Sequence, residues 1–77
     1  MQLQPFTNAN HSLLSNRELE VLYLVAEEYT NAQIAEKLVI SQNTVKAHLV
    51  HIFNKLDVEG RVGAVIFALR QGWLVLN

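Results

Sequence analysis

The chain has 77 residues, no cysteine and a formal net charge of −1. This length allows one domain at most, and so small a domain buries only about 60% of the surface of its unfolded chain. The lack of cysteine excludes a disulfide framework and a thiolate metal site, and no apolar run approaches the ~20 residues that span a bilayer. We expect a globular, cytoplasmic protein, because 51% of the residues are hydrophobic and the N-terminus has no basic-then-apolar signal pattern.

The chain divides into a short tail and one helical domain. Residues 1–12 contain a proline, several Asn and Gln and no periodicity, so we interpret them as a flexible tail or linker. Residues 13–77 form the domain. No segment alternates with period two between turns, so we predict no strand and an all-α fold of four helices.

The first helix is marked by a capping box. The Ser15 hydroxyl is placed to accept a backbone N–H, and Glu18 is placed to reach back to the N–H of Ser15. We expect this helix to end near Glu28. Its apolar stripe, read at helical spacing, consists of Leu19, Leu22, Val25, Ala26 and Tyr29.

Two further helices follow in close succession. Thr30 and Gln33 form a second capping box, which opens a short helix that runs to about Leu38. After a tight connection, Ser41 caps a third helix over residues 42–56. The inward-facing residues are Ile34, Ala35 and Leu38 in the second helix and Val45, Leu49, Ile52, Phe53 and Leu56 in the third.

The fourth helix is predicted over about Arg61 to Gln71. Gly72 is the natural residue for the left-handed conformation that ends a helix. The apolar tail behind it, which consists of Trp73, Leu74 and Leu76, is expected to fold back onto the core.

Two helices joined by a short turn, with the second one capped and basic, form a helix-turn-helix pattern. A helix over residues 42–56 is about 22 Å long and about 10–12 Å wide, which fits a major groove about 12 Å wide. Residues 41–56 contain no Asp or Glu but include two Lys and two His. The charge is therefore segregated along the chain, which favours DNA binding despite the net charge of −1.

A specific spacing of polar and apolar residues extends over roughly residues 13–74. Its members are Leu14, Ser15, Arg17, Glu18, Glu20, Val21, Leu22, Asn31, Ile34, Ala35, Leu38, Ile40, Ser41, Thr44, Val45, Lys46, His48, Lys55, Leu56, Val58, Arg61, Ala64 and Val65. This pattern resembles the LuxR/GerE-type DNA-binding domain, found as stand-alone GerE-like proteins and as the C-terminal half of NarL/FixJ-like response regulators and quorum-sensing receptors. The resemblance implies that Arg17 and Glu18 tie helices together. One position departs from it: Glu28 stands where the family usually has a glycine.

Base contacts are predicted on the third helix. Lys46, in its second turn, is a candidate for a guanine edge or a phosphate, and the alternative is a solvated lysine. Ala47 and Val50 fall on the face that the resemblance marks as base-reading; they suit thymine methyl groups, or they merely fill the helix. Gln42 and Asn43 are candidates for bases or phosphates, although both are also common first-turn residues.

Phosphate contacts are predicted at two helix starts. Ser41 and Thr44 offer hydroxyl groups beside the amides of the third helix, although capping alone explains Ser41. Thr30 and Asn31 begin the second helix, where the same physics applies, and the resemblance implies that this region touches the DNA backbone.

Four basic side chains complete the predicted interface. His48, which matches a family histidine, and His51 have the spacing of two metal ligands on one helix, but only His11 remains to complete a site. We therefore predict no metal and no cofactor, and favour a phosphate contact or a structural hydrogen bond. Lys55 and Arg61 are candidates for the edge of the footprint, and the alternative for both is plain solvation.

The fourth helix is apolar on almost every face, whereas a surface helix needs one apolar stripe. A two-fold partner would cover the excess face, and the resemblance also implies dimerisation here. The alternative is that the C-terminal tail covers it. The residues predicted for the dimer contact are Val62, Val65, Ile66 and Leu69.

The sequence therefore predicts a bacterial transcription regulator that binds double-stranded DNA as a homodimer and lies on the nucleoid when bound. RNA polymerase is a further candidate partner, and a membrane is not. The alternative is a protein–protein adaptor that keeps the fold without DNA binding. We expect no enzyme, because no phosphate loop, nucleophile elbow or paired carboxylates appear outside helix caps and solvated faces.

Overall fold

The computed structural model describes residues 3–5 and 13–76 and contains four helices and two short strands. In chain order these are β1 (Leu3–Pro5), α1 (Asn16–Ala26), α2 (Asn31–Leu38), α3 (Gln42–Leu56), α4 (Arg61–Arg70) and β2 (Leu74–Leu76). The predicted four-helix architecture is confirmed, and α3 has the predicted bounds.

Side chains cap the first three helices as the sequence predicts. In the first capping box the Ser15 N–H donates to Glu18 Oε1 at 2.9 Å, and in the second the Thr30 N–H donates to Gln33 Oε1 at 2.9 Å. Ser41 caps α3 by accepting a backbone N–H on its hydroxyl. Each cap satisfies donors that would otherwise have no partner inside the helix, and so fixes where the helix begins.

All four helices of the described residues end in the same way. A residue with positive φ is followed by an apolar residue whose N–H donates to the carbonyl five positions earlier, at 2.9–3.0 Å, which is the Schellman arrangement. The left-handed residues are Glu28 (φ 69°), Val39 (58°), Asp57 (55°) and Gly72 (77°), and the apolar residues behind them are Tyr29, Ile40, Val58 and Trp73. Three helix ends therefore use the left-handed conformation without a glycine.

The left-handed conformation of Glu28 leads to a stability prediction. Helix α1 ends at Ala26, slightly before the predicted end, because the chain turns at Glu28. A non-glycine residue in this conformation costs about 1–2 kcal/mol. A glycine removes this cost, but part of the gain is lost because glycine raises the entropy of the unfolded chain. Glu28→Gly should therefore raise the free energy of unfolding by about 0.5–1 kcal/mol in urea titrations. Glu27→Gly is the matched control: Glu27 has a negative φ of −81°, so the same change should destabilise, and a gain there would contradict the explanation.

One apolar core joins the helices, and α1 contacts each of the other three. The predicted stripe of α1 is buried at Leu22 and Val25, but Val21 and Leu24 are buried as well, because α1 has neighbours on more than one side. The buried apolar residues are Leu14, Val21, Leu22, Leu24, Val25, Ile34, Ala35, Val45, Leu49, Ile52, Leu56, Ala64, Ala68, Trp73 and Leu74.

The expectation that the chain has no strand is wrong. Strands β1 and β2 pair antiparallel, with Leu3 opposite Leu76, Gln4 opposite Val75 and Pro5 opposite Leu74. Three-residue strands are too short to show alternation, and their partners lie at opposite ends of the chain. The rest of the predicted tail, residues 1–2 and 6–12, lies outside the described residues. The predicted return of the C-terminal segment to the core is confirmed, because Trp73 and Leu74 are 7% and 4% exposed.

Candidate nucleic-acid interface

Helix α3 has one face in the core and one face in solvent. Its buried residues are Val45, Leu49, Ile52 and Leu56, and its exposed residues include Gln42, Asn43, Lys46, Ala47, Val50, His51 and Asn54. His48 is half-buried. Asn54 was missed in the sequence, although its spacing of four from Val50 and seven from Ala47 places it on the same face. Because the buried face anchors the helix, the exposed face is presented as a fixed surface.

The start of α3 is exposed and polar from Ser41 to Thr44. The Ser41 hydroxyl accepts the Thr44 N–H at 3.0 Å and lies 2.9 Å from the Thr44 hydroxyl oxygen. Two hydroxyl groups and the first-turn amides are therefore held together at one end of the exposed face. Such an arrangement suits an anion, since a helix start offers N–H donors and a positive dipole end.

A buried carboxylate ties α1 to the last turn of α3. Glu18, only 5% exposed, accepts a hydrogen bond from Lys55 Nζ at 2.8 Å as well as from the Ser15 N–H. Burial by itself raises the pKa of Glu18, but the hydrogen bonds from Lys55 and Ser15 outweigh it, and the pKa lies below its ordinary value. Glu18 therefore ties two helices together, as the resemblance implies. Arg17 instead pairs with Glu20 of its own helix at 3.8 Å.

Two residues of the predicted phosphate set contact each other. The Arg61 guanidinium, at the start of α4, donates a hydrogen bond to Asn31 Oδ1, at the start of α2. Both are half-buried, and they line an open groove together with Thr30 and the α4 residues Val62 and Ile66. The sequence predicts a phosphate contact for each residue but not their pairing, because they lie 30 positions apart.

The apolar face of α4 is only partly covered. The four residues predicted for a dimer contact divide into the exposed Val62 (73%) and Ile66 (44%) and the half-buried Val65 and Leu69, which pack against the core. The C-terminal segment packs elsewhere on this helix: the Trp73 ring contacts Phe67, with centroids 5.6 Å apart. The tail therefore does not cover Val62 and Ile66.

Several acidic side chains gather outside α3. Glu27, Glu28 and Glu36 line a shallow depression at the junction of α1 and α2, together with Tyr29 and Lys37. Lys37 Nζ lies 5.8 Å from the centroid of the Tyr29 ring, within the range of a cation–π contact. The acidic residues before α3 thus lie mainly at this junction, although Glu28 also lines the groove beside Asn31 and Arg61.

His48 and His51 belong to no group of three or more His, Cys, Asp or Glu side chains suited to a metal ion within the described residues. In the same part of the chain, no helix is both long enough and apolar enough to cross a membrane.

Comparison with known proteins identifies the family of this domain. The family described as "GerE: Bacterial regulatory proteins, luxR family" matches residues 12–68. The chain belongs to the luxR family of bacterial regulatory proteins. The predicted resemblance is therefore confirmed, and the LuxR-family domain is a helix-turn-helix domain of a class of transcription regulators rather than of enzymes.

Individual relatives agree with this assignment. The LuxR-family domain is 48% identical over 65 residues to the oxygen regulatory protein NreC of Staphylococcus haemolyticus, covering 84% of the chain and 30% of NreC. It is 48% identical over 61 residues to the transcriptional regulatory protein LiaR of Bacillus subtilis, covering 79% of the chain and 29% of LiaR. The chain thus spans about 30% of the length of these relatives.

Two solved structures share the fold. One is the transcription factor GerE, with a TM-score of 0.76 and 39% identity, and the match covers 79% of this chain and 91% of that one. The other is the response regulator ChrA of a heme-sensing two-component system, with a TM-score of 0.75 and 47% identity, covering 78% of this chain and 30% of that one. The same domain therefore matches nearly all of one protein and a minor part of another.

Proposed function

We propose that this LuxR-family domain binds double-stranded DNA sequence-specifically, with α3 in the major groove, and thereby regulates transcription. The observation that carries the proposal is the exposed face of α3. It carries polar and cationic side chains around Ala47 and Val50, has no acidic residue, and is continuous over the length of a helix whose opposite face is anchored in the core. A helix of this width fits the major groove, where each base pair presents a distinct pattern of donors and acceptors.

The proposed contacts divide into base edges and phosphates. Bases are assigned to Gln42, Asn43, Lys46, Ala47 and Val50, of which Lys46 supplies the cationic donor. Phosphates are assigned to Thr30, Asn31, Ser41, Thr44, His48, His51 and Lys55. Arg61, predicted for the same set, donates its hydrogen bond to Asn31 instead. Lys55 already forms an ion pair with Glu18, so we expect it to contribute least of these residues to the free energy of DNA binding.

We further propose that the domain binds DNA as a two-fold dimer through α4, with half-sites about one helical turn apart. The exposure of Val62 and Ile66, one helical turn apart on the same face, supports this. The net charge of −1 favours it too, because weak non-specific attraction leaves a single domain short of useful affinity. Two linked domains bind far more tightly than one.

Val62→Glu tests the dimer contact. At a two-fold interface one substitution acts twice, so it removes two buried valines, each worth about 1.5 kcal/mol, and sets two carboxylates near each other. The dimer dissociation constant measured by analytical ultracentrifugation should rise at least about tenfold. Val39→Glu is the matched control, since Val39 is 88% exposed in the turn before α3 and should leave the constant unchanged. An equal effect of both variants would contradict the assignment to α4.

A salt titration of binding to a mixed pool of duplex DNA tests the proposed function. Binding should weaken with rising salt, with a slope of about −0.9 for each phosphate that a cationic side chain neutralises. Sequencing the bound pool should then yield a site with two-fold symmetry, as the proposed dimer requires. If the domain does not bind duplex DNA at low salt, even at concentrations where it is dimeric, the proposal fails and the adaptor hypothesis replaces it.

A further inference from the structure

We propose that Arg61 is a positioning residue for Asn31: its guanidinium fixes the orientation of the Asn31 amide so that N–H donors face the DNA backbone. This inference rests on the proposed function, because it concerns the contact between Asn31 and phosphate. It changes the role predicted for Arg61 from a direct phosphate contact to an action through another residue.

The chemistry of the Arg61–Asn31 hydrogen bond determines which end of the amide stays available. A guanidinium carries five N–H donors and no acceptor, so its partner on Asn31 must be the carbonyl oxygen Oδ1. The Nδ2 group, with two donors, then lies on the other side of the amide. Phosphate oxygens only accept hydrogen bonds, so this orientation presents to DNA the half of the amide that can bind it.

The hydrogen bond between Arg61 and Asn31 also connects the start of α4 to the start of α2. Asn31 is the first residue of α2, directly behind the cap residue Thr30, and Arg61 is the first residue of α4. The neighbour of Arg61 on α4 is Val62, the most exposed residue of the proposed dimer contact. One hydrogen bond therefore joins the phosphate contact at α2 to the helix that we assign to the dimer.

Arg61→Met, compared with Asn31→Ala and the double variant, tests the inference by DNA affinity. If Arg61 acts through Asn31, each single variant should weaken binding by about tenfold for each half-site, the value of one hydrogen bond to a charged group, and the double variant should be no weaker than either. The salt slope should stay at the wild-type value, because neither change removes a cation that neutralises a phosphate. Arg70→Met is the matched control: it removes the same charge from an exposed site on α4 and should change neither affinity nor slope.

Asn31→Asp separates positioning from plain stabilisation of the fold. An aspartate keeps the acceptor for Arg61 and adds a negative charge at the start of α2, where the helix dipole favours it. Thermal unfolding should therefore show a stability equal to or above that of the wild type. DNA affinity should nevertheless fall at least about tenfold, because the side chain has lost its N–H donors and its carboxylate repels the phosphate. A variant that is as stable as the wild type but binds DNA less well is not explained by a merely structural role.

Three results would overturn the inference. Arg61→Met with wild-type affinity would show that Asn31 needs no positioning. If the losses of DNA affinity multiply in the double variant, and the salt slope of Arg61→Met is smaller by about 0.9 per site, Arg61 holds a phosphate of its own. Unchanged affinity in Asn31→Asp would show that the amide donors do not matter. If the wild type binds no DNA, the proposed function fails first and this inference with it, whereas the other outcomes leave the proposed function intact.

Discussion

Lys46→Glu is expected to weaken binding to duplex DNA by at least about a hundredfold while leaving the fold unchanged. Lys46 lies in the second turn of α3 on its exposed face, and no salt bridge engages it within the described residues. A good contact to a base edge is worth about 1–3 kcal/mol, and a dimer loses it twice. The reversed charge adds repulsion from the phosphates. Fluorescence anisotropy with the selected site at fixed salt measures the loss.

Lys37→Glu is the control for the same change of charge. Lys37 is also exposed, but it lies beside Tyr29 among the acidic residues at the junction of α1 and α2. Lys37→Glu should lower the affinity for DNA far less than Lys46→Glu does. Circular dichroism should show the same helix content for the two variants. Equal losses would mean that only the overall charge matters, which would contradict specific recognition through α3.

Glu18→Ala is expected to lower the free energy of unfolding by about 2–4 kcal/mol. The change removes the reciprocal half of the capping box, worth about 0.5–2 kcal/mol, and the charge-assisted hydrogen bond from Lys55, worth about 1.5–3 kcal/mol. The total free energy of unfolding of a small domain is only about 5–15 kcal/mol, so this loss is a large fraction of it. Urea titration measures the loss. Glu20→Ala, at an exposed site with a looser ion pair of 3.8 Å, should stay within about 0.5 kcal/mol of the wild type.

Glu18→Gln separates the charge from the hydrogen bonds and predicts a pH dependence. Glutamine can still accept from the Ser15 N–H but carries no charge for Lys55. Because the pKa of Glu18 is lowered in the folded chain, its ionic contribution is complete above the ordinary value of about 4.3 and is lost as the pH falls through the lower folded value. The wild type should therefore exceed the variant in stability at pH 7 and converge with it in acid. A difference that is constant with pH would contradict the ionic role.

The starts of the helices and the exposed face of α3 could be predicted from the sequence because their signals are local. The capping boxes at Ser15 and Thr30 need only the next three residues, and the burial of α3 follows its own apolar spacing. Asn54, by contrast, could have been found from spacing alone, since it completes the face that already contained Val50.

Features that join distant residues could not be predicted. The pairing of Arg61 with Asn31, the bond between Lys55 and Glu18, and the register of β1 on β2 all depend on how the helices pack. The left-handed turns at Val39 and Asp57 were missed for another reason: neither position carries the glycine that usually marks such a turn. At both positions the next residue, Ile40 or Val58, packs half-buried against the core and donates the hydrogen bond that closes the turn.

Methylation interference on the selected DNA site tests whether α3 lies in the major groove. Guanine N7 lies in the major groove and adenine N3 in the minor groove, so methylation at each reports on one groove. If α3 occupies the major groove, N7-methylated guanines should be excluded from the bound fraction in two clusters about one helical turn apart, and N3-methylated adenines should be retained. Interference at adenine N3 alone, or at neither position in DNA that is bound, would contradict the placement of α3 in the major groove.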